Sequence, residues 1–170
     1  MTTPDELVTT RLSLRRPESG DAAAVLAVHS DPRACAHNPA DALTTPAEAE
    51  ELVGRWQDHW RRFGFGYWVV RRRGTLPVLG FCGLKRMALH GEPVLNLFYR
   101  FDPACWGDGI ASEAATEVVR WAAPLGETVV ARVRPANTAS QRVAVRAGLT
   151  RAEHLDEHGQ DGLDWLYTLA

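Results

Sequence analysis

Trp106-Gly107-Asp108-Gly109-Ile110-Ala111-Ser112-Glu113 is a glycine-rich turn set between two segments of different period. Upstream, Leu95-Asn96-Leu97-Phe98-Tyr99-Arg100-Phe101 reads as a strand, stopped by Asp102-Pro103 because proline cannot continue a hydrogen-bonded ladder. Downstream, Ile110, Ala111, Ala114, Ala115, Val118, Val119 and Ala122 fall on one face of a helix, with Ser112, Glu113, Thr116, Glu117 and Arg120 on the other. Such a turn leaves backbone N–H groups free at the positive end of the helix dipole, which suits phosphate. The Gly107-x-Gly109 pair is not a dinucleotide fingerprint, since Ser112 replaces the third glycine and the motif does not follow the first strand. A Walker loop is excluded, because no Gly-Lys-Ser/Thr is present. What remains is a phosphate-bearing ligand whose other portion runs along the Leu95 strand.

Further along, Thr128-Val129-Val130-Ala131-Arg132-Val133 is a β-branched run expected in the same sheet, beside the Leu95 strand, and Pro135 closes it. Asn137 caps a second helix whose first turn holds Ser140, and Gly148 supplies its left-handed end. From the N-terminus, Arg11-Leu12-Ser13-Leu14-Arg15 alternates as a first strand, followed by a helix from about Ser19 to His29. Thr45-Pro46-Ala47-Glu48 is a capping box that opens a helix with Ala49, Leu52, Val53, Trp56, Trp60 and Phe63 on one face. Tyr67 to Val70 and Val78 to Met87 form a hairpin, with Arg71-Arg72-Arg73 a solvated hairpin end. His90-Gly91-Glu92-Pro93 is the next turn. Arg151 to Glu157, a turn over His158 to Gly162, and Asp164 to Leu169 read as a last hairpin.

At 170 residues and 45% hydrophobic content, the chain is expected to be one domain over residues 1–170 with a core of its own. No apolar run approaches a bilayer span, and the first residues lack the basic and apolar regions of a signal peptide, so the expected location is the cytoplasm. Cys35, Cys82 and Cys105 are an odd number at wide spacing and read as reduced, buried thiols. Cys35-Ala-His37 with Cys82 and His90 lacks ligand spacing, so no metal is expected. A net charge of −2 gives no bulk reason to expect nucleic acid or an anionic membrane as partner.

Two motifs together carry a family resemblance. Arg100-Phe-Asp-Pro-Ala-Cys-Trp-Gly-Asp-Gly-Ile-Ala-Ser-Glu-Ala, followed by Pro135-Ala-Asn-Thr-Ala-Ser-Gln-Arg-Val-Ala-Val-Arg-Ala-Gly-Leu149, resembles the GCN5-related N-acetyltransferase (GNAT) superfamily. The pattern is similar to the branch with the ribosomal-protein N-terminal alanine acetyltransferases, and the likeness extends to Thr10-Arg-Leu-Ser-Leu-Arg, Gly64-Phe-Gly-Tyr-Trp and Asp164-Trp-Leu-Tyr. The resemblance implies an α/β (α+β) fold: a mixed, mostly antiparallel sheet with flanking helices, whose two central parallel strands splay around acetyl-CoA. It further implies that the backbone at Trp106, Gly107, Asp108, Gly109, Ile110, Ala111 and Ser112 holds the pyrophosphate. Tyr99 and Phe101 would pair with the pantetheine amides, and Asn137 and Ser140 would line the thioester end. In this branch a serine at the place of Ser140 protonates the departing thiolate; the other reading is a first-turn residue bonding its own backbone. Trp106 departs from the superfamily, which opens the loop with Gln or Arg.

The implied activity is direct acetyl transfer from acetyl-CoA to a primary amine, a peptide N-terminus or a small molecule, with no metal. The strand position that holds a glutamate in many relatives is Asn96, and an amide cannot act as a base. Glu153, His154, Glu92 and His90 are the other candidates, each also readable as a surface residue, so the amine is expected to lose its proton to solvent. Asn96 equally supports an alternative, a CoA-binding sensor that does not turn over. Trp56, Trp60, Phe63, Phe65, Tyr67 and Trp68 read mostly as core, in a segment that lines the acceptor pocket in the family. The acceptor's identity and a homodimeric assembly both stay open.

Overall fold

In the computed structural model, which describes residues 4–169, the chain runs β1 (Glu6–Val8), β2 (Leu12–Arg15), α1 (Ala22–His29), α2 (Pro46–Phe63), β3 (Tyr67–Arg72), β4 (Val78–Leu89), β5 (Glu92–Phe101), α3 (Ile110–Ala122), β6 (Val129–Val133), α4 (Thr138–Arg146), β7 (Thr150–Arg151), β8 (Glu157–Gly159) and β9 (Gly162–Thr168). The sheet order is β1-β2-β3-β4-β5-β6-β9-β7, with β8 paired to β9. Among the described pairs only β5 with β6 is parallel. It is a mixed, mostly antiparallel sheet flanked by helices, as the resemblance implied.

Each face of the sheet buries one helix pair. Ile110, Ala114, Ala115 and Val118 of α3 and Ala144 of α4 pack with Leu95 and Leu97. On the other face Val25 and Val28 of α1 and Val53 and Trp56 of α2 cover Val69 and Phe81. Burying a Val, Leu or Phe side chain contributes roughly 1.5–3 kcal/mol, so these apolar stripes fix which way each helix lies.

Local chemistry sets the boundaries. Thr45 caps α2 by accepting from the Glu48 N–H at 3.2 Å, while the Glu48 carboxylate returns to the Thr44 N–H at 3.0 Å, one residue outside the expected box. The helix expected from Ser19 begins three residues later, after a 3-10 turn over Ser19–Asp21. There the Asp21 carboxylate is committed to Arg15, at 2.7 and 2.9 Å, and to the Glu18 N–H at 2.7 Å. His90 and Gly91, with φ of 49° and 82°, make the tight turn joining β4 to β5, so Glu92 and Pro93 already lie in the strand. Pro93 lies two residues before Leu95, where pairing with β6 begins, and so costs no ladder bond on that side.

Two features depart from expectation. β1 has only three residues, too few for a periodic signal. The arm expected from Arg151 to Glu157 is broken into β7, a 3-10 turn over Glu153–Leu155, and β8. Asp156 accounts for the break: its carboxylate takes two bonds from Arg151, at 2.6 and 2.7 Å, and one from the Leu166 N–H at 2.9 Å. Cys35, Cys82 and Cys105 are free and buried, and burial raises each thiol's pKa. Among the described residues no helix is long and apolar enough to cross a membrane.

His29 makes the fold sensitive to acid. Its ring is 2% exposed, packs between Trp56 and Phe81, and bonds the Val25 carbonyl at 2.9 Å. Burial, reinforced by the Arg100 charge, pushes its pKa down to about 4. A depressed histidine contributes stability that is present above its unfolded pKa of about 6.5 and is lost as pH falls toward the folded value. Urea unfolding should therefore show about 2 kcal/mol less stability at pH 5 than at pH 7.5, and His29→Phe should remove most of that difference.

Candidate functional site

β5 and β6 pair at only two positions, Leu95 with Val129 and Asn96 with Val130, and then diverge. The Leu95 N–H donates to the Thr128 carbonyl at 2.9 Å, so strand alternation turns the backbone groups of Leu97, Tyr99 and Phe101 toward the same, now unpaired, edge. β6 finds its other partner in β9, from Val130 to Val133. The opening is a cavity of about 810 Å³, lined by β5 from Asn96 to Phe101, the turn before α3, and the start of α4.

The turn is built for open backbone. Asp102 accepts from the Ala104 N–H at 2.9 Å, and a 3-10 turn over Pro103–Cys105 leads to Trp106. Gly107 and Gly109 have φ of 92° and 76°, a region where side chains are strained, and Gly109 caps α3. The Gly107, Asp108 and Gly109 N–H groups donate to no described residue, and those of Ile110, Ala111 and Ser112 form the free first turn of the helix. Two expectations shift here. The Trp106 N–H donates to the Pro103 carbonyl at 3.2 Å, so the free run begins at Gly107. The Trp106 indole N–H donates to the Phe101 carbonyl at 3.1 Å, which takes that acceptor out of the strand edge.

The loop is clamped from behind. Arg11 donates to the Asp108 carbonyl at 2.8 Å and to the Glu113 carboxylate at 2.6 Å. The Arg11 N–H and the Thr9 hydroxyl also donate to Glu113, at 3.1 and 2.9 Å. Burial would raise the Glu113 pKa, but the bonds from Arg11 and Thr9 outweigh it and hold the carboxyl below its usual range. Arg72 reaches Asp108 at 3.4 Å, so one arginine of the supposedly solvated hairpin end belongs to this loop.

At the other end of the cavity Asn137 caps α4, accepting from the Ser140 N–H at 3.1 Å. The Ser140 hydroxyl donates to Tyr99 Oη at 2.8 Å instead of to its own backbone, and Tyr99 donates to the Ser140 carbonyl, also at 2.8 Å. Burial raises the Tyr99 pKa, keeping the phenol neutral and able to donate. Asn96 is 7% exposed and accepts from Arg132 Nε at 3.3 Å.

The four acids and bases singled out from sequence do not join this site: Glu92, His90, Glu153 and His154 are exposed, and none lines the cavity. The six aromatics from Trp56 to Trp68 also lie outside its lining; Trp56, Trp60, Phe65 and Trp68 are core. Arg132, Asp161, Asp164 and the segment from Arg33 to Asp41 do line it. For Arg132 a signal was present, a lone charge inside a β-branched run; the others depend on pairings between distant parts of the chain.

Residues 11–150 match the acetyltransferase (GNAT) domain family, and the chain belongs to it. YkkB, an uncharacterized protein of Bacillus subtilis (strain 168), is 28% identical over 153 residues, which cover 88% of this chain and 87% of YkkB. The crystal structure of an acetyltransferase from Agrobacterium tumefaciens str. C58 has a TM-score of 0.82 at 26% identity, covering 100% of this chain and 96% of its own. RimL, a ribosomal L7/L12 alpha-N-protein acetyltransferase solved in complex with coenzyme A, shares the fold with a TM-score of 0.75 at 21% identity, covering 96% of each chain.

The Glu113 clamp can be tested without a ligand. Glu113→Ala leaves the Thr9 hydroxyl and the Arg11 guanidinium without their acceptor, and a lost charge-assisted bond costs about 1.5–3 kcal/mol. Urea unfolding at pH 7 should show a loss of about 2 kcal/mol.

Proposed function

We propose that the protein is an acetyl-CoA-dependent N-acetyltransferase that transfers the acetyl group directly to a primary amine, of a peptide N-terminus or a small molecule, in a ternary complex. The observation that carries this reading is the unpaired edge of β5, which runs from the free amides after Trp106 to the Tyr99–Ser140 pair. Family membership and the coenzyme A held by RimL support it.

The residues present fit this co-substrate. A Cβ built on Gly107 would meet no heavy atom within 4 Å, and one on Gly109 only Arg11 Nη2 at 3.6 Å, so the cavity side of the turn is open for a pyrophosphate on the amides from Gly107 to Ser112. The Leu97 and Tyr99 backbone groups would bond the pantetheine arm as a missing strand would. When bound, acetyl-CoA supplies an activated acyl group at the thioester. Ser140 holds a proton near that end, and Tyr99, which accepts from the Ser140 hydroxyl, fixes its position. Holding amine and thioester together supplies much of the acceleration. A second reading, a CoA-binding sensor without turnover, is favoured by Asn96, which cannot take a proton.

Binding and turnover separate these readings. A ligand specific for the native state adds about 2.7 kcal/mol at a hundredfold excess over Kd, so millimolar CoA should raise the melting temperature. Gly109→Glu, which places bulk and like charge against the phosphates, should abolish that rise while still giving a cooperative melt. A panel of an alanyl peptide, L-alanine, spermidine and kanamycin, read by thiol release, tests turnover. On any amine that reacts, Ser140→Ala should lower kcat more than tenfold, toward the ~10²–10⁴ of lost acid–base assistance, with the acetyl-CoA Kd little changed. A melt unmoved by CoA and acetyl-CoA would overturn both readings, and binding without turnover would favour the sensor.

A further inference from the structure

Asp164 enters the cavity from β9 and is 8% exposed. Asn96 registers with Val130 and Arg132 with Leu166, so alternation puts Asn96, Arg132 and Asp164 on one face of the sheet. No described residue donates a hydrogen bond to its carboxylate. Arg134 stands 3.9 Å away and donates instead to the Leu163 carbonyl at 2.6 Å. A Cβ on Gly159 would come within 2.6 Å of Asp164 Oδ2, so the glycine at that position leaves the carboxylate its space. The carboxylate is largely out of water yet opens to the cavity, where a cationic donor would complete it better than solvent does.

The other acids lining the cavity are already engaged. Asp41 pairs with Arg100 at 2.9 Å, and Asp161 accepts from the Ala40 N–H at 3.1 Å. The geometry points to Asp164 as the residue that receives the acceptor amine, seating it as the ammonium and taking the proton that must leave before attack. The assignment rests on the transferase reading and supplies the base that Asn96 cannot be.

The protons and electrons balance. The ammonium gives one proton to Asp164, and the freed lone pair forms the C–N bond. The C–S bond breaks with its electron pair on sulfur, which takes the proton of Ser140. A second N–H proton, acidified once the C–N bond has formed, restores the Ser140 hydroxyl, and Asp164 returns its proton to solvent.

Burial raises the Asp164 pKa against the opposing pull of Arg132 and Arg134, with Glu157 from β8 and Asp161 from the turn before β9 adding to the rise. Across the cavity stand His37 and the Asp41–Arg100 pair. A carboxyl whose pKa is raised by burial is a stronger base than one in water. The rising limb of kcat/KM against pH then belongs to the enzyme and stays in place when the amine is changed.

The test runs wild type and Asp164→Asn side by side on the four-amine panel. For every amine that wild type acetylates, the variant should lose at least 100-fold in kcat/KM at pH 7, while CoA raises its melting temperature as much as it does for wild type. Its residual rate should rise with pH along the titration of the amine itself, so that the limb moves when the amine is changed. Turnover unchanged in the variant overturns the role of Asp164 and leaves the transferase reading standing; no turnover by wild type on any of the four overturns both. Should Asp164→Asn not fold, the wild-type profile with two amines of different pKa decides: a fixed rising limb supports Asp164, and a limb that moves with the amine overturns it.

Discussion

Everything at the candidate site depends on β5 and β6 parting after two residue pairs. A strand edge inside a protein must satisfy its N–H and C=O groups, and a helix start must satisfy its first-turn N–H groups. Here both unsatisfied sets face the same cavity, the edge of β5 along its length and the start of α3 at one end. The sheet holds the gap open: β5 is tied along its whole length to β4, and β6 is tied to β9 on its far side. Tyr99 and Ser140 brace the opening from β5 to α4. A ligand with a diphosphate and a row of amides would complement such a gap, and the proposed recognition is by main-chain groups.

Charge is arranged around this gap with some economy. The proposed phosphate end offers backbone dipoles, and Arg11 and Arg72 are committed to Glu113 and Asp108 behind the loop. Their work is to hold φ-positive glycines in place, which matters because a mobile loop would have to be ordered at the moment of binding. At the opposite end the sheet face presents Asn96, Arg132 and Asp164. One cavity thus joins a donor-rich end to an ionised one, an arrangement that the proposed meeting of an anionic cofactor arm with a cationic amine would use.

Much of this was legible in the chain because it is local. A switch from period two to period three and a half, with Asp102-Pro103 and Gly107-x-Gly109 between, marks β5, its turn and α3 within a few residues. Asn137 and Gly148 mark α4 in the same way, and the family motifs lie on these two units. β1 was invisible because three residues carry no period. Asp156 splits the last hairpin through bonds to Arg151 and Leu166, a competition that composition does not reveal. Asp164 was read as part of a strand, since its place on the same sheet face and cavity as Asn96 follows from β9 crossing back to pair with β6. Looking for an acid at the position of Asn96 missed one that arrives from another strand.

The central claim is that main-chain N–H groups on the α3 turn and on the β5 edge are the cofactor's binding surface. It is tested most directly by assigned ¹⁵N–¹H spectra of the protein titrated with coenzyme A. The account predicts the largest amide shifts, and new protection from hydrogen exchange, at Gly107 to Ser112 and at Leu97 and Tyr99. Saturable binding that leaves these amides unmoved, with its shifts elsewhere on the sheet or helices, would contradict it.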